Sequence, residues 1–167
     1  MNYYNKIAAG YEELHKEEQL KKIKLIKKYL KVKKDEKLLD VGCGTGLTTQ
    51  PWKCKKYGID PSRKLLEKAR KKNKAIIYKQ AQAEKIPFKD KSFDVVISVT
   101  ALQNFMNIEK ALNEIKRVGK NRFILTFLKK SAKKEKLNSL IKKHFKVKKI
   151  IEEEKDLIYI INHRKIN

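Results

Sequence analysis

Between residues 17 and 30 the apolar side chains Leu20, Ile23, Ile26 and Leu30 recur at intervals of three, three and four, with lysines between them. That spacing lays one stripe along a helix, so an amphipathic helix is predicted there. The rhythm then changes. Lys37-Leu38-Leu39-Asp40-Val41-Gly42 reads as a short buried strand entering a glycine turn. Residues 56–60 predict a second strand ending on Asp60, and Pro61-Ser62 opens a helix through about Lys72. Ala75-Ile76-Ile77-Tyr78 predicts a third strand. Residues 93–98 predict a fourth, apolar enough to be buried on both faces. Ile108, Ala111, Leu112, Ile115 and Val118 form a second helical stripe, residues 122–127 a fifth strand, and residues 132–143 a lysine-rich helix. Residues 145–151 and 157–162, on either side of an acidic turn, read as a hairpin. Alternating strands and helices predict an α/β fold with a parallel sheet covered by helices, to which the hairpin adds antiparallel members. Only ten residues, 47–56, separate the glycine turn from the second strand, and Pro51 interrupts them, so the helix expected there is very short.

Composition sets the bounds. A chain of 167 residues suits one domain, and 41% hydrophobic residues suffice for a packed core. No apolar run approaches the roughly 18 residues that span a bilayer, and the first residues lack the apolar stretch of a signal peptide. Cys43 and Cys54 make neither a disulfide framework nor a metal site. A cytoplasmic protein without bound metal or membrane contact is the expectation. Charge changes this picture. Lys and Arg total 43 against 19 acids, giving +24, and 38 of the 43 are lysines. Heat adaptation enriches both signs, yet only 13 residues are glutamate. The excess points to a polyanionic partner, with a plain lysine bias as the alternative.

Candidate chemistry gathers at Asp40-Val41-Gly42-Cys43-Gly44-Thr45-Gly46. Glycines at a strand end let the backbone approach a ligand closely. Asp60, at the end of the next strand, is placed to accept both hydroxyls of a ribose. A dinucleotide fingerprint would need a small residue where Leu47 stands, and no Lys-Ser/Thr pair follows the glycines to cradle phosphates. A nucleoside cofactor carrying a cationic amino acid moiety fits this pattern.

The stretch from Leu38 to Gly46 resembles motif I of the class I S-adenosylmethionine-dependent methyltransferases. The likeness continues, in the family's order and at about its spacing, through Gly58-Ile59-Asp60-Pro61-Ser62, Ala83-Glu84-Lys85-Ile86-Pro87-Phe88 and Ser92-Phe93-Asp94-Val95-Val96-Ile97-Ser98. It implies a single methyltransferase domain over residues 1–167, with an N-terminal lid and helix at 1–30 and a catalytic core at 37–163. It implies a Rossmann-like, mostly parallel seven-stranded sheet of order 3-2-1-4-5-7-6. It also implies that Asp40, Gly42, Gly44 and Gly46 hold the methionine part of S-adenosyl-L-methionine, Asp60 the ribose, and Pro61 and Ser62 the flanks of the adenine. Before Ala83 relatives carry an aspartate that accepts from the adenine amino group; here Gln82 offers an uncharged amide oxygen instead.

Methyl transfer from a sulfonium mainly needs positioning and exclusion of water, so no catalytic residue is assigned from sequence. The substrate-side candidates are Tyr11, in a segment resembling the family's lid, and Thr100, Gln103 and Asn104 after the fourth strand. That last stretch lacks the Asn/Asp-Pro-Pro-aromatic motif with which relatives hold planar amides and amines. Its Ser-x-x-Ala-x-Gln pattern, Ser98 to Gln103, resembles ribosomal RNA methyltransferases that work with a small activator protein. The reading is therefore a methyltransferase acting on RNA or on a translation-associated protein. A small-molecule methyltransferase and a non-catalytic cofactor-binding subunit are the alternatives. A small activator is expected on the edge strand formed by Ala75-Ile76-Ile77-Tyr78, and RNA on the lysines that begin at Lys129 and Lys130.

Overall fold

The structure, a computed structural model, describes residues 3–164, with side chains from residue 12 to residue 164. Seven strands among them make one sheet: β1 (Lys37–Val41), β2 (Lys55–Asp60), β3 (Ile77–Gln80), β4 (Phe93–Ser98), β5 (Gly119–Leu128), β6 (Val147–Glu152) and β7 (Asp156–Asn162). Their order is β3-β2-β1-β4-β5-β7-β6. The first five pair in parallel, and β7 runs antiparallel to both β5 and β6. The α/β class, the hairpin and the strand order all follow the expectation.

Strand alternation divides the core between the two faces of the sheet. Leu39, Val41, Val96, Phe123 and Leu125 turn to the face covered by α3 (Ile108–Val118) and α4 (Lys134–His144). Leu38, Val95, Ile97 and Ile124 turn to the other, where Ile23 and Ile26 of α1 (Tyr3–Ile26) and Trp52 pack. A third, small cluster forms under α2 (Arg63–Lys72), from Cys43, Leu66, Ala69, Ile76 and Tyr78. α2 begins where Ser62 accepts from Leu65 N, and α3 where Asn107 accepts from Lys110 N, two side-chain caps for otherwise orphaned donors.

Several elements differ from the sequence expectation. α1 starts at Tyr3 and ends at Ile26, rather than running from 17 to 30. Its buried face is also rotated: Leu20 is 40% exposed, whereas Gln19, Lys22, Ile23 and Ile26 are buried. Leu30 is buried beyond the helix, after a turn closed by bonds such as Tyr29 N to Ile26 O. β3 begins two residues late, because its ladder with β2 opens at Tyr57 opposite Ile77, while Ile76 packs beneath α2 from the preceding turn. The short helix expected after the glycines is no helix; Thr49 N and Gln50 N both bond to Gly46 O, one turn that Pro51 ends.

Candidate functional site

Ligand sites in open α/β sheets lie beyond the C-terminal ends of the strands, and here a cavity of about 480 Å³ opens beyond β1, β2 and β4. Its walls are residues 42–45 after β1, Asp60 and Pro61 after β2, residues 81–84 after β3 and residues 99–101 after β4, with residues 104–106 at the mouth. α1 adds His15 and Gln19. Ser98 fixes the floor by donating from Oγ to Val41 O at 2.9 Å, joining the ends of β4 and β1.

Gly42, Gly44 and Gly46 have φ of +76°, +54° and +84°, the left-handed region that favours glycine. A side chain on Gly42 would stand 2.8 Å from Ala101 Cβ, so the turn can lie against the loop after β4 only with glycine there. One on Gly44 would meet nothing within 4 Å. That open space belongs to the cavity. Asp60 ties two walls together: Oδ2 accepts from Gly44 N at 3.0 Å and Oδ1 from Ser62 N at 2.9 Å. Each carboxylate oxygen retains a lone pair for a ligand hydroxyl.

Asp40 stands elsewhere. It is fully buried, does not line the cavity, and accepts through Oδ2 from Thr48 Oγ1 at 2.6 Å and Thr49 Oγ1 at 2.8 Å. Its Oδ1 has no partner. Burial raises its pKa to about 6, against the hydrogen bonds from Thr48 and Thr49, which lower it. Burial likewise pushes the Cys43 thiol far up, with Asp40 and Asp60 adding to it, so Cys43 is no nucleophile at neutral pH.

The cavity brings together Gly42, Gly44, Asp60, Pro61, Gln82, Ala83, Thr100 and Asn104 of the residues singled out from sequence. Asp40 and Gly46 lie behind its wall, and Ser62 caps α2. Gln103 sits in a single 3-10 turn, Leu102–Asn104, donating from Nε2 to Thr100 O at 2.9 Å rather than facing the cavity. The side chain of Tyr11 lies outside the described residues.

Lys22 and Asp156 were missed. Lys22 is 1% and Asp156 0% exposed, and they pair at 3.1 Å directly behind Thr100. No local pattern marks the pair: Gln19 and Lys22 are polar members of a helix face shared with Ile23 and Ile26, and Asp156 stands at the start of an apolar strand far along the chain.

The sequence profile described as "Methyltransferase domain" matches residues 39–127. An uncharacterized protein of Methanocaldococcus jannaschii is 36% identical over 128 residues, covering 75% of this chain and 49% of that one. A malonyl-[acyl-carrier protein] O-methyltransferase of Erwinia pyrifoliae is 38% identical over 87 residues, covering 50% and 33%. The chain thus spans half or less of the length of these relatives. Among solved structures, the complex between the Haloferax volcanii Trm112 methyltransferase activator and a putative methyltransferase matches with a TM-score of 0.78 at 14% identity, covering 93% of this chain and 94% of that one. At that identity the likeness speaks for the fold.

Proposed function

The chain belongs to the methyltransferase-domain family, and from that premise we propose that it transfers the methyl group of S-adenosyl-L-methionine to RNA or to a translation-associated protein. The carrying observation is the Asp60 carboxylate, bonded to Gly44 N and Ser62 N on the wall of a cavity that Gly44 leaves open. In this reading the spare lone pairs of Asp60 hold the ribose. The backbone of residues 42–45 receives the methionine part. Pro61 borders the adenine, and the Gln82 amide oxygen accepts from its amino group. The buried Asp40 contributes charge from beneath the turn rather than a contact. The cofactor supplies a methyl group already activated on a sulfonium; the chain aligns the acceptor and excludes water.

The net charge of +24 supports a polyanionic acceptor, and Lys133 donates from Nζ to Gln103 O beside the cavity mouth. A small-molecule acceptor is the second reading; the Erwinia relative is named for a small acyl group, malonyl, on an acyl-carrier protein. A small activator protein along β3, an edge strand with Ile77 49% exposed, belongs to the same proposal; the Haloferax neighbour was solved with one.

The test is transfer of labelled methyl groups from the cofactor into RNA, protein and metabolite fractions. Label in RNA or ribosomal protein is the expected result. Label confined to metabolites installs the second reading, and cofactor binding with no transfer to any fraction leaves a non-catalytic subunit.

A further inference from the structure

Thr100 stands two residues past β4 on the cavity wall, with φ of +56°. That left-handed conformation strains a β-branched residue and persists only where the surroundings impose it. Here they do so at every polar atom. Thr100 N donates to Thr126 Oγ1 at 2.8 Å, and Thr100 O accepts from Gln103 Nε2 at 2.9 Å. Its hydroxyl donates to Asp156 Oδ2 at 2.7 Å and accepts from Lys22 Nζ at 2.9 Å. Thr126 Oγ1 also donates to Asp156 Oδ2, at 2.7 Å, and Lys22 pairs with Asp156 Oδ1. Neither Lys22 nor Asp156 lines the cavity. A buried ion pair is a poor source of net stability, so two buried charges and a strained threonine converging on one cavity-facing residue call for a role in the site.

We propose that Lys22 and Asp156 are positioning residues that set Thr100 as a hydrogen-bond acceptor facing the methyl-accepting atom, and that this atom is a nitrogen or oxygen still carrying hydrogen. The argument is one of donors. A hydroxyl has one hydrogen, and that of Thr100 is committed to Asp156. Thr100 is part of the cavity wall, and what its hydroxyl oxygen and its carbonyl can add to a partner there is lone pairs alone. An amine, an amide or a hydroxyl meets them with a hydrogen; a carboxylate meets them lone pair against lone pair. Lys22 belongs to α1, which also carries His15 and Gln19 on the cavity wall, so seating α1 and setting Thr100 are one event. The inference rests on the methyltransferase reading and narrows its acceptor class.

The probes are two cofactor analogues followed by calorimetry: S-adenosylhomocysteine, which lacks the methyl group, and sinefungin, which carries an amino group in its place. Wild type is expected to bind sinefungin about tenfold more tightly, the scale of one hydrogen bond made by a charged donor. Thr100→Val, which keeps the side-chain shape, and Asp156→Leu, which takes away the oxygen that holds the Thr100 hydrogen, should bring the ratio to about one with S-adenosylhomocysteine affinity held within about twofold, and Thr100→Ser should restore it. If Asp156→Leu does not fold, Thr100→Val still reads the ratio. An unchanged ratio in Thr100→Val, or an equal loss of both affinities, overturns the assignment, as does a ratio of one in wild type. Failure of wild type to bind either analogue overturns the cofactor reading along with it.

Discussion

Asp40 is a carboxylate sealed from solvent with one oxygen held by two threonines and the other unpartnered. Its pKa, raised to about 6 from 3.8, makes the proton more tightly bound in the folded chain than in the unfolded one. Its contribution to stability is therefore fully present below about pH 4 and is lost as pH rises through about 6, a difference of roughly 3 kcal/mol. Carrying that charge at neutral pH makes sense beneath a cationic ligand, which favours the ionised form. The expected outcome is that affinity for S-adenosylmethionine, measured by calorimetry, falls as pH drops below about 6, and that Asp40→Asn flattens this limb. The asparagine oxygen can still accept from Thr48 and Thr49, so the turn should survive the change. A wild-type affinity that is level between about pH 5 and pH 8 would refute the electrostatic role.

Elements differ in how openly their sequences declare them. α3 was legible because Ile108, Ala111, Leu112, Ile115 and Val118 all point to the core and Asn107 caps the first turn. β4 was legible because it is buried almost throughout. The buried face of α1 was not, since two of its members, Gln19 and Lys22, are polar. Nothing local could reveal that Lys22 pairs with a residue 134 positions away. The cavity wall at Gly42, Gly44 and Asp60 was readable because turn chemistry is local, whereas the bonds of Thr100 come from four different segments. β3 was misplaced by two residues because apolar Ile76 serves the α2 cluster and not the ladder. Its edge still leaves Ile77 exposed next to exposed Lys79, and an uncovered strand edge invites pairing. Ile77→Lys should therefore reduce self-association of the isolated chain in sedimentation experiments, with stability changed by less than about 0.5 kcal/mol. A wild-type chain that is monomeric at high concentration and fully active alone would remove the reason for a partner there.

Across the whole molecule the positive charge is uneven in purpose. At the far end of α4, Lys142 and Lys143 sit in the last turn, where cations complement the helix dipole, and Lys143 and His144 both reach Glu109. Lys143 thus has a structural partner in Glu109. At the near end, Lys129 pairs with Glu152 at 3.3 Å, while Lys130, Lys133 and Lys134 are exposed around the segment that follows β5. Lys133 already reaches the carbonyl of Gln103, next to the loop that walls the cavity. A single-stranded polyanion laid along this end would bring its bases to the cavity mouth while its phosphates meet lysine. Each such contact releases counterions and contributes about −0.7 to the log–log slope of affinity against salt. Replacing Lys129, Lys130, Lys133 and Lys134 with serine should then flatten the slope for single-stranded RNA by about 2, three contacts' worth, and leave S-adenosylhomocysteine binding intact. Serines at Lys142 and Lys143 should leave the slope where it was. Filter binding across a salt series separates these outcomes: an unchanged slope in the quadruple variant places the docking surface elsewhere, and a wild type that binds no RNA at low salt returns the cavity to a small-molecule acceptor.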